Sequence, residues 1–316
     1  MAKLADSFAT FDAVGNRESL SDKIYRISPE ETPFVSAIGK GKASAVLEEW
    51  QTDELAAAAN NKVVQGNEAT VAAVTPTVRL GNRTQISEKV YAVTGTQEAV
   101  AKAGRKSEVS YQDVKKMVEL KKDIDFAALQ NTTAIAAAAA VAPQARGVLG
   151  FIHTNTNFAT ADGADPDPVT NTAPTDGTTR QWAETMLQDA GQKAWTNGAK
   201  NNLSLYIPAA LRALFSTFDA NATRNYAIKD KEVVATVEAY QGDFGLYKVV
   251  NSRHQRDRDV FGIDPAGWSI LTLRPFKPQE LAKTGDNIKK MVNTEWTLKC
   301  NNPLMNFAIR DLKATA

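Results

Sequence analysis

Cysteine occurs once in the 316 residues, at Cys300, and histidine only twice, at His153 and His254. A single thiol excludes a disulfide within the chain and any multi-thiolate metal centre, and it fits a chain made in a reducing cytosol. Two histidines cannot build a histidine-rich zinc site and offer little to a catalytic triad. Net charge is equally scarce: 37 Lys and Arg stand against 36 Asp and Glu. No overall field therefore recruits nucleic acid or an anionic membrane. No apolar run reaches the ~20 residues of a membrane span. The opening MAKLADSFATFDAVGN lacks the apolar stretch of a secretory signal. At 43% hydrophobic and 23% charged residues, the composition is that of a soluble globular protein with a sizeable core, expected in the cytoplasm.

What is present is a long stretch without glycine or proline, from Ser107 to Ala142. Val114, Met117, Leu120, Ile124, Ala127/Ala128 and Ile135 recur in steps of three and four, one stripe of an α-helix. Ser107 and Glu108 supply a cap and an early acidic residue, and Pro143 a stop. Lys115–Glu119, Lys121–Asp125 and Glu119–Lys122 have the spacing of side-chain pairs. A helix over the whole stretch would be a rod of roughly 54 Å. The alternative is a break near Asn131-Thr132-Thr133, with the alanine tract a second, shorter helix.

Residues 1–45 are polar and punctuated, with short helices predicted over Ser19–Ile27 and Thr32–Ile38 and a flexible joint at Gly39–Lys42. Strand patterning follows over 46–52, 71–74, 77–80 and 84–94, with a core-less segment around Ala56–Gly66 between. A long antiparallel excursion fits, and because an isolated ribbon is marginal in water it needs a surface to lie on. Gly147–Ile152 reads as a buried strand or turn, and 155–179 as a solvated loop. Helices over Arg180–Trp195 and Pro208–Phe218, a strand over Leu203–Ile207 and a hairpin over 233–251 suggest a compact α+β unit from about 180 to 255. Strands over 260–263, 268–273, 289–299 and 305–312 close the chain.

No chemistry converges in this pattern. The Walker phosphate-loop motif is absent, and Gly147-Val148-Leu149-Gly150 is too short to cradle a phosphate. Asp162, Asp165 and Asp167 imitate a calcium loop but lack its sixth-position glycine and terminal glutamate. Arg253–Asp259 reads as a solvated, internally paired turn, Cys300 as a packed thiol, and both histidines as structural or solvated. Catalytic, metal and cofactor sites are all expected to be absent.

A colinear series of strings does carry a resemblance. Leu20–Asp22, Ile27–Phe34, Glu49–Asp53, Leu80–Ile86, Gly95–Val100, Ala103–Glu108, Gly147–Ile152, Asn221–Arg224, Asp243–Gly245, Leu273–Pro275 and Leu281–Asp286 resemble, in order, a tailed-phage major head protein family. That family is similar to one branch of the Hong Kong 97-type capsid proteins. The resemblance implies an α+β fold with an N-terminal arm (1–45), an extended β-hairpin loop (46–94), a peripheral domain with a long spine helix (95–150), an axial domain (151–259) and returning peripheral strands (260–316). In such a fold the extended loop lies over a neighbouring subunit.

The function implied is the major capsid protein of a double-stranded DNA bacteriophage, its copies joined as hexamers and pentamers into an icosahedral virion shell. Other relatives of the fold carry a long helical scaffolding segment at the start. Here the loop signature begins by residue 46, which implies a separate scaffolding protein or an already processed chain, with Met1 favouring the former. A portal, a decoration protein and non-specifically packaged DNA are the further implied partners, with no membrane. Trp50, Arg79, Arg83 and Lys89 are expected as inter-subunit contacts, and Lys62 as a cross-linking candidate by its position at the loop tip. An encapsulin-like compartment shell is the alternative with the same fold. A cytosolic α+β enzyme is the alternative from another class.

Overall fold

The computed structural model describes residues 28–68, 71, 73–218 and 239–314. The helix expected over Ser19–Ile27, the Asn221–Arg224 string and the first part of the 233–251 hairpin lie outside them.

Proline starts the short helix α1, Pro33–Ala37, where its missing N–H costs nothing. Phe34 of α1 is fully buried, edge-on to Tyr206 at 5.8 Å and to Trp268 at 6.0 Å. The expected flexible joint is instead strand β1, Gly39–Lys42, because Gly39 and Gly41 let it lie close against a later strand. β2, Leu47–Thr52, and β3, Val78–Arg83, form an antiparallel ribbon, and the described residues from 71 to 77 hold no strand. β4, Gln85–Thr94, leads through the single turn α2, Gly95–Ala99, to α3, Glu108–Gln130.

α3 is the spine, 23 residues and roughly 35 Å long. Ser107 caps it by accepting from Ser110 N, and Leu120, Ile124, Ala127, Ala128 and Leu129 form its buried stripe. Of the expected flank pairs, a neighbouring one forms instead, Lys116–Glu119 at 2.7 Å. Asp125 faces inward, accepting from Val35 N at 2.9 Å and meeting His254 Nδ1 at 2.9 Å.

The helix stops at Asn131, not Ala142. Asn131 Nδ2 donates to Ala145 O at 2.8 Å and to Gln85 Oε1 at 2.9 Å, turning the chain away. The alanine tract is not a second helix either. It is a hairpin, bridged at Ile135–Gln144 and Ala138–Val141. Its base is clamped by Asn171, whose Oδ1 accepts from Ala134 N at 2.9 Å while Nδ2 donates to Ala134 O at 2.7 Å. Helix propensity is a weak prior when the tract has no apolar stripe to bury and side-chain partners compete for its backbone.

Short strands β5, Thr156–Asn157, and β6, Arg180–Gln181, flank the long loop. Then come α4, Glu184–Thr196, β7, Asn202–Pro208, α5, Ala209–Phe215, β8, Ala239–Gly242, β9, Gly245–Ser252, and β10, Val260–Ile263. The chain closes with β11, Trp268–Glu280, β12, Asn287–Cys300, β13, Phe307–Ile309, and β14, Leu312–Lys313. A four-stranded sheet has the order β1-β11-β12-β4, and a six-stranded sheet the order β5-β13-β10-β7-β9-β8. The 180–255 unit is therefore not self-contained, since β5, β10 and β13 complete its sheet. α4 starts at Glu184 rather than Arg180 because Arg180 and Gln181 pair with β14.

Two main cores result. One joins α1, α3, residues 145–152 and the four-stranded sheet around Phe34, Ile124, Phe151, Trp268 and Trp296. The other packs α4 and α5 on the six-stranded sheet around Trp182, Leu205, Phe215 and Tyr247. β4 pairs with β12 from Gln85–Trp296 to Thr94–Asn287, so it belongs to the sheet rather than to the ribbon.

Candidate assembly surface

The ribbon is the feature that projects, and its root is built residue by residue. Along β3, Leu80 and Asn82 turn inward and are buried. Asn82 Nδ2 donates to Leu298 O at 2.7 Å and Arg146 O at 3.0 Å, while its Oδ1 accepts from Arg146 N at 2.7 Å and Arg83 N at 2.9 Å. Thr84 Oγ1 donates to Glu295 Oε1 at 2.7 Å just where the chain passes into β4. On β2, Trp50 stands opposite Leu80, its ring 6.0 Å from Phe151 and beneath Lys299 Nζ at 5.6 Å. Glu48 is held below the usual carboxylate range: burial opposes this, but hydrogen bonds from Ala45 and Ser44 outweigh it.

Beyond the root the ribbon has nothing of its own to bury. Leu55, Val63, Val64, Val71 and Val74 are between 71% and 101% exposed. Lys62 lies in this stretch and is exposed. A groove of about 460 Å³ runs under the ribbon, lined in part by Asp53, Val78, Leu80, His153, Val169 and Leu304.

The structure separates the five residues singled out in the sequence. Trp50 is at the root, packed within its own chain. Arg79 lies on the outer face, 3.3 Å from Glu49. Arg83 ends β3, half-buried opposite Leu47. Lys89 is not on the ribbon: it lies on β4 and pairs with Asp123 of α3 at 2.6 Å. Sequence reasoning missed Asn82 and Thr84, because a polar side chain at an inward strand position breaks no hydrophobic pattern. The sequence pointer to them is the run Leu80-Gly81-Asn82-Arg83-Thr84, which the family resemblance contains.

The remaining polar candidates are used within the fold. Asp165 accepts from Thr156 Oγ1 and Arg310 Nη2, both at 2.7 Å, Asp167 from Thr170 Oγ1 at 2.7 Å, and Asp162 from Thr178 N at 2.9 Å. Hydrogen bonding to Thr178 and Thr170 holds Asp162 and Asp167 low, whereas burial pushes Asp165 up. Among the described residues no group of three or more His, Cys, Asp or Glu could hold a metal. Cys300 is wholly buried, and burial pushes its thiol up. Among the described residues no helix is long and apolar enough to cross a membrane.

An arm root plugged into the core, a projecting ribbon, a spine helix across a long-stranded sheet and a second sheet unit together define the Hong Kong 97-type capsid tile. Solved shells share this α+β architecture. The capsid of the native GTA particle superposes with a TM-score of 0.67 at 10% identity, covering 98% of this chain and 100% of that one. The capsid of Cyanophage P-SCSP1u gives 0.62 at 11% identity, with 98% and 100% covered. The phage G structure of major capsid and decoration proteins gives 0.55 at 13% identity, with 100% of each chain covered.

The chain belongs to the SU10 major capsid protein family, whose sequence profile matches residues 7–313. It is 30% identical over 332 aligned positions to the major capsid protein of Escherichia phage Phieco32, covering 94% of each chain. Its function is thus that of a tailed-phage major capsid protein, a structural subunit of the icosahedral virion shell and not an enzyme. The compartment-shell alternative is not favoured.

Proposed function

We propose that each copy closes the shell by laying its ribbon on a neighbouring copy, the root setting the ribbon's direction and the tip supplying the apolar contact. The observation that carries this is the set of exposed aliphatic side chains, Leu55, Val63, Val64, Val71 and Val74, in the stretch that joins β2 to β3, strandless among its described residues and with no core of its own. Lys62, Arg79 and Arg83 meet the neighbour as outward-facing cations, while Trp50 and Lys89 serve from within the subunit. The arm ends near residue 45 and the ribbon follows. Peripheral segments are 95–150 and 260–316, joined by β4, with the axial domain over 151–259 borrowing β10 and β13 of the last segment for its sheet. Copies join as hexamers and pentamers. A separate scaffolding protein, a portal, a decoration protein and packaged DNA held without sequence preference complete the head.

The double variant Val63→Ser/Val64→Ser tests the contact. Both side chains are exposed, so the subunit should keep its circular dichroism and melting temperature. Shell yield, read by light scattering and negative-stain microscopy with the head-assembly partners present, should fall by more than tenfold, since association has to offset a large loss of freedom. Shells at the unaltered yield would overturn the assignment.

A further inference from the structure

The turn between β9 and β10 is paired as its charges suggest and solvated at Arg253 and Asp257, but Gln255 and Asp259 within it are buried. It is the point where several distant segments meet. Arg253 Nε lies 3.4 Å from Glu31 and His254 Nδ1 2.9 Å from Asp125 of the spine. Arg256 Nη2 donates to Asp176 at 2.5 Å, and its Nε lies 3.1 Å from Asp259 Oδ2. Arg258 Nη2 donates to Asp311 Oδ1 at 2.6 Å and to Gly177 O at 2.5 Å. Asp311 in turn accepts from Gly177 N at 2.9 Å and Ala159 N at 3.1 Å. The long loop and the segment from Arg310 are thereby tied to the turn through charge, alongside the backbone bond from Leu312 N to Arg258 O at 2.9 Å.

The charged groups facing Asp259 are Arg256 and Arg258 of its own turn, Asp176 of the loop and Arg310 of the C-terminal segment. Each arginine already has another carboxylate: Arg256 has Asp176, Arg258 has Asp311 and Arg310 has Asp165. With Asp259 neutral, cations and anions balance. Once Asp259 ionises, the cluster carries an excess buried negative charge beside Asp176, where little water can screen it.

We propose that Asp259 makes this turn a proton-gated joint, holding residues 158–182 and the β14 strand paired to them closed while its carboxyl is neutral and releasing them once it ionises. Burial pushes this carboxyl up to about 7, against the pull of Arg256. A group raised in the closed state and ordinary in the open one favours closure most in acid. Opening therefore becomes about tenfold more favourable per pH unit as pH rises between the two values, then levels off.

Hydrogen exchange of the full chain between about pH 5 and pH 8, with labelling times scaled to the intrinsic exchange rate, reads this directly. Peptides covering 158–182 and 311–314 should lose protection about tenfold per pH unit up to about 7 and then change no further, while Phe307–Ile309 stay protected in the sheet. Asp259→Asn should remove the slope. Arg256→Gln keeps the carboxyl but deletes its nearest cation, so its plateau should move to higher pH. A flat profile in the unaltered chain, the same slope in Asp259→Asn, or an unmoved plateau in Arg256→Gln would each overturn the proposal.

Discussion

Replacing Asn82 by alanine tests what aims the ribbon. Asn82 is 0% exposed and makes four hydrogen bonds, two given to the carbonyls of Arg146 and Leu298 and two received from the N–H groups of Arg146 and Arg83. The variant leaves the Arg146 N–H, the Arg146 carbonyl and the Leu298 carbonyl without these partners in the interior. One stranded buried group costs about 1–3 kcal/mol, so three cost roughly 3–9 kcal/mol. Water entering the vacated space recovers part of this, which leaves an expected loss of about 3–5 kcal/mol. Against a typical folding stability of ~5–15 kcal/mol that is a large fraction. Urea denaturation of the unassembled subunit should show the loss as a lower midpoint, and limited proteolysis should cut the ribbon faster near its root. Asn82→Asp should be no milder, because it sets a carboxylate against two carbonyl oxygens. A loss below about 1 kcal/mol for the alanine variant, with unchanged proteolysis, would refute the argument that these bonds hold the root.

Other substitutions probe neighbouring parts. Trp50→Ala removes a half-buried ring from Phe151 and Lys299, so it should cost about 2 kcal/mol, below the range for a fully buried aromatic. Thermal denaturation then separates it from a pure interface residue, which would leave the melting temperature alone. Gly147→Ala places a Cβ 2.5 Å from Ala128 O and 2.8 Å from Asn131 O, backbone atoms that cannot swing aside. It should cost at least about 1–3 kcal/mol and shift the end of the spine helix, visible as lost exchange protection over 127–131. Ile124→Asp puts an unpaired carboxylate at a position 1% exposed. At more than about 4 kcal/mol it should remove the native far-ultraviolet circular dichroism of the soluble fraction.

Much of the architecture is legible in the sequence because periodicity reports which face is buried. The stripe through Leu120, Ile124 and Ala127/Ala128, the alternation over 84–94 and Pro33 at the start of α1 all correspond to observed elements. The surface that would carry assembly was legible only in outline. Exposed valines in a core-less excursion announce a ribbon, but Trp50 and Lys89 look alike in sequence whether they face a neighbour or their own chain. The structure packs Trp50 on Phe151 and pairs Lys89 with Asp123 of the spine at a partly exposed position. The alanine tract shows the limit most clearly. Its helix propensity is local, whereas the hairpin is held by Asn171, far along the chain and at a positive φ of 60°.

By itself the sequence determined the α+β character of the chain and much of the order of its elements. Those follow from local quantities: residue type, spacing and the period of apolar side chains. Tertiary structure decided where the spine ends, that β4 leaves the ribbon for the sheet of β12, and that Gln255 and Asp259 of the charged turn are buried while Arg253 and Asp257 stay exposed. Each of these depends on pairing between residues far apart in the chain. A hydrogen bond or ion pair of that kind leaves no trace in the pattern of either segment alone.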